Sequence, residues 1–109
     1  MPPKVRVSET EFQRAVVDYL NMCGWRHLHV RKSMGRRNGT EGWQTTTSIK
    51  GWPDLLAWRT GRVVAIELKS DTGKATPEQL DVLASLADAG VETFVWRPKD
   101  WPEIEKVMR

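Results

Sequence analysis

Asp54, Glu67 and Lys69 are the residues of this chain whose types and spacing are best suited to chemistry. Twelve residues separate Asp54 from Glu67, and Lys69 follows Glu67 by two. The stretch Arg62–Lys69 is rich in β-branched residues, as a buried strand is. Side chains alternate along a strand, so Glu67 and Lys69 project from one face. A hairpin turning at Thr60-Gly61 folds the start of an Asp54–Trp58 strand back beside the end of the Arg62–Lys69 strand. Asp54 and Glu67 then converge, with Lys69 beside them. Two carboxylates with few other ligands suit Mg²⁺, a hard cation that keeps several waters. Such an ion polarises a phosphate ester and makes hydroxide available near neutral pH. Lys69, a compact cation, can hold that water or the phosphate oxygens. Glu11 is a further carboxylate in reach of the same role. The plainer reading of Glu-x-Lys is a charge pair on a solvated strand. Against it stands position: the pair ends an otherwise apolar strand, and a Gly51-Trp52-Pro53 turn leads into Asp54.

The elements that must hold these residues can be read along the chain. Residues 1–7 form a short tail, and residues 8–109 one domain. Ser8 with Glu11 makes a capping box, and Thr10 with Gln13 offers the same box shifted by two. Phe12, Ala15, Val16, Tyr19 and Leu20 recur at helical spacing behind them, which predicts a helix from Glu9 to Met22 that Gly24 ends. Trp25–Arg31 alternates as a first strand does. Residues 32–50 are rich in Gly, Ser, Thr and Asn and read as one long loop. Thr76-Pro77-Glu78-Gln79 starts a second helix, with Thr as cap, Pro in the first turn and Gln in the box position. Leu80, Leu83, Ala84, Leu86 and Ala87 give that helix an apolar stripe, and Gly90 stops it. Glu92–Trp96 is the last core strand, and Trp101–Met108 a terminal helix. The order is helix, strand, strand, strand, helix, strand, helix: an α/β domain with a mixed sheet.

Charge and composition narrow the partners. The chain has 109 residues and a formal net charge of +3, from 17 Lys and Arg against 14 Asp and Glu. From Arg26 to Arg37 there are five cations (Arg26, Arg31, Lys32, Arg36, Arg37) and no carboxylate. A polyphosphate partner demands such a stripe, although a solvated face explains it equally well. One cysteine, Cys23, forbids an intrachain disulfide, and a cytoplasmic setting is the simplest reading. Cys23, His27 and His29 do not make a four-ligand zinc set. No apolar stretch approaches a membrane span, and no signal peptide is visible. His27 and His29 share a strand face and are read as core or groove residues before metal ligands. Among the six tryptophans, Trp58 and Trp96 are expected in the core. Trp43 and Trp52, in or beside the long loop, are candidates for contact with nucleic acid or a second subunit.

Taken in order, Glu11 and Gln13, Gly51-Trp52-Pro53-Asp54, Glu67-Leu68-Lys69 and Gln79 resemble the PD-(D/E)XK nucleases, and within them the virus-type replication-repair nuclease (VRR-NUC) family. The resemblance runs from about Glu9 to Trp96. It implies a restriction-endonuclease-like domain with an α-β-β-β-α-β core, in line with the order read above. It also implies that Asp54, Glu67 and the Leu68 carbonyl ligate Mg²⁺ or Mn²⁺. Lys69 would position or activate water, Glu11 would add a carboxylate through water, and Gln79 would lean into the site. Gln79 is also explained by its capping box, and the two readings are compatible. Glu9 points elsewhere and is the lesser acid. Arg31, Lys32, Arg36, Arg37 and Lys50 would contact nucleic acid. Stand-alone members of that family occur in bacteria and phages and act as homodimers on branched DNA, including Holliday junctions.

The expectation is therefore a metal-dependent DNA endonuclease in the bacterial or phage-infected host cytoplasm. A nuclease acting on flaps, nicks or ends is an alternative, because backbone shape is what such enzymes read. A non-catalytic DNA-binding module is another. It leaves unexplained why carboxylates stand where phosphates approach.

Overall fold

The computed structural model describes residues 7–30 and 49–109. Helix α1 (Glu9–Met22) leads to β1 (Arg26–His29), and β2 (Leu55–Arg59) turns into β3 (Arg62–Leu68). Helix α2 (Pro77–Asp88) crosses to β4 (Glu92–Trp96), and a 3-10 turn (Pro98–Asp100) opens α3 (Trp101–Met108). The sheet order is β1-β2-β3-β4, antiparallel except for the β3–β4 pair, which is parallel and so needs the α2 crossover. The expected mixed α/β sheet flanked by helices is the observed fold.

Local chemistry sets the boundaries. Of the two boxes offered at the start of α1, Ser8 and Glu11 close reciprocally, each side chain bonding the other's backbone N–H. The β2–β3 hairpin needs a left-handed residue in its two-residue turn, and Gly61 supplies it at φ +80°. β1 is shorter than the expected Trp25–Arg31. Trp25 leaves the strand to bury its ring, and its Nε1–H donates to the Met108 carbonyl at 2.7 Å. Arg62 donates to the Val107 carbonyl at 3.0 Å. Together they satisfy carbonyls that the end of α3 leaves without helical partners.

The sheet has two unlike faces. On one, Leu55, Ala57, Val64, Ile66 and Leu68 pack with Phe12, Val16 and Leu20 of α1 and Ile104 and Met108 of α3. On the other, α2 lies over the β3–β4 half and buries Val82 and Leu83. The same face leaves Leu28 of β1, Trp58 of β2 and Val63 at the start of β3 exposed at 54%, 37% and 44%. Trp96 is in the core as expected, but Trp58 is not, because α2 does not extend over β2. The apolar stripe of α2 also differs from the expected one. Gln79, Val82 and Leu83 are buried, while Leu80 is 51% exposed and Ala84 and Ala87 are exposed. Gln79 fixes the rotation of the helix by facing β3, and Leu80 then points about 100° away.

Candidate active site

Glu67 lies near the C-terminal end of β3, on the face that α2 covers, and is 1% exposed. A carboxylate this deep needs charged or hydrogen-bonding neighbours. Its Oε2 accepts from Gln79 Nε2 at 2.9 Å and lies 3.0 Å from Lys69 Nζ. Lys69, two residues on and on the same face, keeps 15% of its side chain exposed, so it stands between the buried carboxylate and solvent. Its backbone N–H donates to the Trp96 carbonyl at 3.0 Å, which extends the parallel pairing by one step beyond β3.

Asp54 immediately precedes β2 and is 8% exposed. β2 begins at Leu55, paired with Ile66, so the Leu68 amide lies beyond the last strand pair. The Asp54 Oδ2 accepts from that amide at 2.8 Å, a side chain continuing the ladder. This bond sets the Asp54 carboxylate against the backbone between Glu67 and Lys69. Val30 N–H in turn donates to the Asp54 carbonyl at 3.0 Å, so the chain leaving β1 passes beside the site.

The turn before Asp54 depends on Gly51. Its φ is +93°, and a Cβ there would lie 2.6 Å from the Glu78 carbonyl carbon and oxygen and 2.9 Å from the Gln79 nitrogen. The Gly51-Trp52-Pro53-Asp54 turn is thus seated on the first turn of α2. Gln79 caps its helix and also reaches Glu67. Its Oε1 accepts from Thr76 N–H at 2.8 Å and closes the capping box, while its Nε2 binds Glu67. One amide ties the helix start to the buried acid.

Other expected residues fall elsewhere. Glu11 accepts from Ser8 N–H at 3.1 Å at the start of α1, the helix that packs on the opposite face. Among the described residues, no group of three His, Cys, Asp or Glu side chains converges as a metal site. His27 Nε2 pairs with Asn21 Oδ1 at 3.0 Å, and His29 is exposed at the edge of the sheet. Lys50 is exposed in the turn ahead of Gly51. Arg31, Lys32, Arg36, Arg37 and Trp43 lie outside the described residues, as do the tail before Val7 and the long loop before Ile49. Sequence reading passed over Arg97, which bonds the loop after Lys69. No local signal marks it, because the contact depends on parallel strand pairing.

No family model and no curated protein matches the sequence. Among solved structures, the chain is similar to Hjc, a Holliday junction resolvase from the archaeal hyperthermophile Archaeoglobus fulgidus. The match has a TM-score of 0.54 at 20% identity and covers 80% of this chain. The likeness is one of fold. It spans 66% of the resolvase chain, just under two thirds. No helix among the described residues is long and apolar enough to cross a membrane.

The residues present fit a hard divalent cation. Two buried carboxylates come to the end of one strand pair, with a lysine and a carboxamide beside them and no thiolate near. Two protein carboxylates and otherwise water or phosphate oxygens are a ligand set that Mg²⁺ favours.

Proposed function

We propose that this protein is a Mg²⁺-dependent, structure-specific DNA endonuclease of the VRR-NUC type within the PD-(D/E)XK superfamily. Its substrate is branched DNA of the Holliday-junction kind. The observation that carries the reading is the buried Glu67, bonded to both Lys69 and Gln79, with Asp54 held against the next peptide. A buried carboxylate–lysine pair is a poor stability device. At a site that receives a phosphate and a cation it has a use. The resolvase-like fold supports the same reading.

Asp54 and Glu67, with the Leu68 carbonyl, would hold Mg²⁺ or Mn²⁺. When bound, the metal supplies Lewis-acid polarisation of the scissile phosphate and a water of lowered pKa. Gln79 keeps the Glu67 carboxylate in one orientation by donating to Oε2. Lys69 Nζ, on the solvent side of Glu67, orients the attacking water or donates to phosphate oxygens as their charge builds.

The reading includes a homodimer, and the part of this sheet face that is left exposed among the described residues supports a second copy as its occupant. Leu28, Trp58 and Val63 are exposed there, and Leu28 and Val63 offer a polyanion nothing. The far edge of this face carries Arg26. The helix at its other end has Glu78, Asp81 and Asp88 and no Lys or Arg. A two-fold axis running along the strands would set the basic edge of one copy against the acidic helix of the other. Light scattering should report a dimer that Leu28→Glu with Val63→Glu converts to a folded monomer. A monomeric wild type at micromolar concentration removes this surface from the proposal.

The deciding experiment compares cleavage of labelled four-way junction, flap and linear duplex DNA with Mg²⁺, Mn²⁺ or EDTA, beside Lys69→Ala. Junction cutting that needs both metal and Lys69 is the expected result. Preference for flaps or ends moves the substrate class. Tight binding without cutting under either metal overturns the nuclease and favours a DNA-binding module.

A further inference from the structure

We propose that Arg97 is a positioning residue for Lys69, acting through the loop that follows it; the inference rests on the nuclease reading of the site. Leu68 pairs with Trp96 in the parallel β3–β4 register, so Arg97 stands level with Lys69 at the end of the neighbouring strand. Its guanidinium Nη1 donates to the Ser70 carbonyl at 2.7 Å and also to the Gly73 carbonyl. Both acceptors lie in the loop between Lys69 and α2. Its own backbone N–H is held by Asp100 Oδ2 at 2.8 Å, which anchors it to the 3-10 turn.

The loop is a folded turn in its own right. Gly73 N–H donates to Ser70 Oγ at 3.0 Å, and the tight side of Gly73 faces that same oxygen. Two cross-links, from the last residue of β4 and the residue after it, therefore bracket Lys69. The Trp96 carbonyl takes its N–H, and Arg97 takes the carbonyl of the next residue. With backbone fixed on both sides, Nζ is directed at Glu67. The same loop delivers Thr76, whose capping box sets Gln79 on the other side of that carboxylate. An arginine used only to staple a surface turn would leave the chemistry alone. One that brackets the lysine of the site sets where its charge lies, and small displacements of reacting groups cost large factors in rate.

The test compares wild type with Arg97→Ala, Arg97→Lys, Glu103→Ala and Lys69→Ala. Glu103→Ala removes the neighbouring Trp96 Nε1–Glu103 bond (2.9 Å) without touching the loop, and so controls for loss of stability alone. The readouts are single-turnover cleavage of a four-way junction with Mg²⁺, junction binding with Ca²⁺ in its place, thermal melting, and the NMR signals of the Lys69 side chain. Arg97→Ala should slow cleavage about tenfold to a hundredfold while junction affinity stays within about twofold. It should also move the Lys69 signals. Arg97→Lys, still a cationic donor, should recover most of the rate, and Glu103→Ala should cut as wild type does. Wild-type rates in Arg97→Ala, equal slowing in Glu103→Ala, or unmoved Lys69 signals overturn the proposal. If wild type cuts nothing with Mg²⁺ or Mn²⁺, the nuclease reading fails on its own. The Lys69 signals then decide alone whether Arg97 places that side chain.

Discussion

The face of the sheet that packs on α1 and α3 and the face that carries Glu67 are built from alternate residues of the same strands. Leu55, Val64, Ile66 and Leu68 look one way and are sealed. Leu56, Trp58, Val63, Ala65 and Glu67 look the other way, where the cover is partial and the buried group at the strand end is ionic. Adjacent positions Ile66 and Glu67 are both nearly inaccessible to water, yet one sits in hydrocarbon and the other in a network of Gln79 and Lys69. The difference teaches that stability and chemistry are divided across a single pleat. The α1–α3 side holds the fold, which lets the α2 side keep a costly arrangement of charge.

The division can be broken most sharply at Lys69. Lys69→Ala should lower cleavage by about 10²–10³-fold, the usual effect of losing one donor to developing charge. It should lower the melting temperature only in part, because Gln79 still bonds the Glu67 carboxylate that loses its cation. A collapse of the melting transition instead would make Lys69 a structural ion-pair partner. Ile66→Ala, one pleat away, should do the reverse. It should cost about 2–5 kcal/mol of stability, measured by denaturant unfolding, with the rate of the folded fraction little changed.

Gly51→Ala tests the seam between the two halves. The left-handed backbone alone should cost about 1–2 kcal/mol. The Cβ would also strike backbone of Glu78 and Gln79 that cannot swing aside. Both stability and cleavage should fall, and an unaffected variant would show that the turn is not seated on α2. The smallest effect is expected far from the site. Glu92 makes a two-pronged bond to Arg62, at 2.7 and 2.6 Å, which holds its carboxyl below the usual range against the opposing effect of partial burial. A depressed folded value stabilises above the ordinary carboxylate range and is lost as pH falls through the folded one. Glu92 is over a third exposed, so Glu92→Gln should cost under about 1 kcal/mol at neutral pH. Melting curves of the two proteins should converge in acid.

The elements were legible because each has a local cause. Ser8, Thr76, Gly61 and Gly90 punctuate the chain, and the β-branched run of β3 leaves little choice of structure. Asp54, Glu67, Lys69 and Gln79 were legible as a group because hairpin geometry and one capping box bring them together over short distances in sequence. What stayed hidden was long-range. The N-terminal location of Glu11 fits a site carboxylate, but only the tertiary structure shows α1 on the opposite face. The hydrophobicity of Trp58 and Leu80 says that they seek cover, not that α2 stops short of one and turns from the other. Arg97 has no motif at all, since its partners are backbone oxygens across a parallel strand pair.

That parallel pair also orders the assembly of the molecule in time. The Leu68 amide is held by Asp54, across a hairpin of the kind that closes in about 1–10 μs. The neighbouring Lys69 amide waits for Trp96, which arrives only when α2 has crossed over. A nascent chain that ends before β4 lacks the carbonyl that holds the Lys69 amide, and it should be inert. Pulse-labelled hydrogen exchange during refolding should find the Leu68 amide protected before that of Lys69. Simultaneous protection would show that hairpin and crossover close as one.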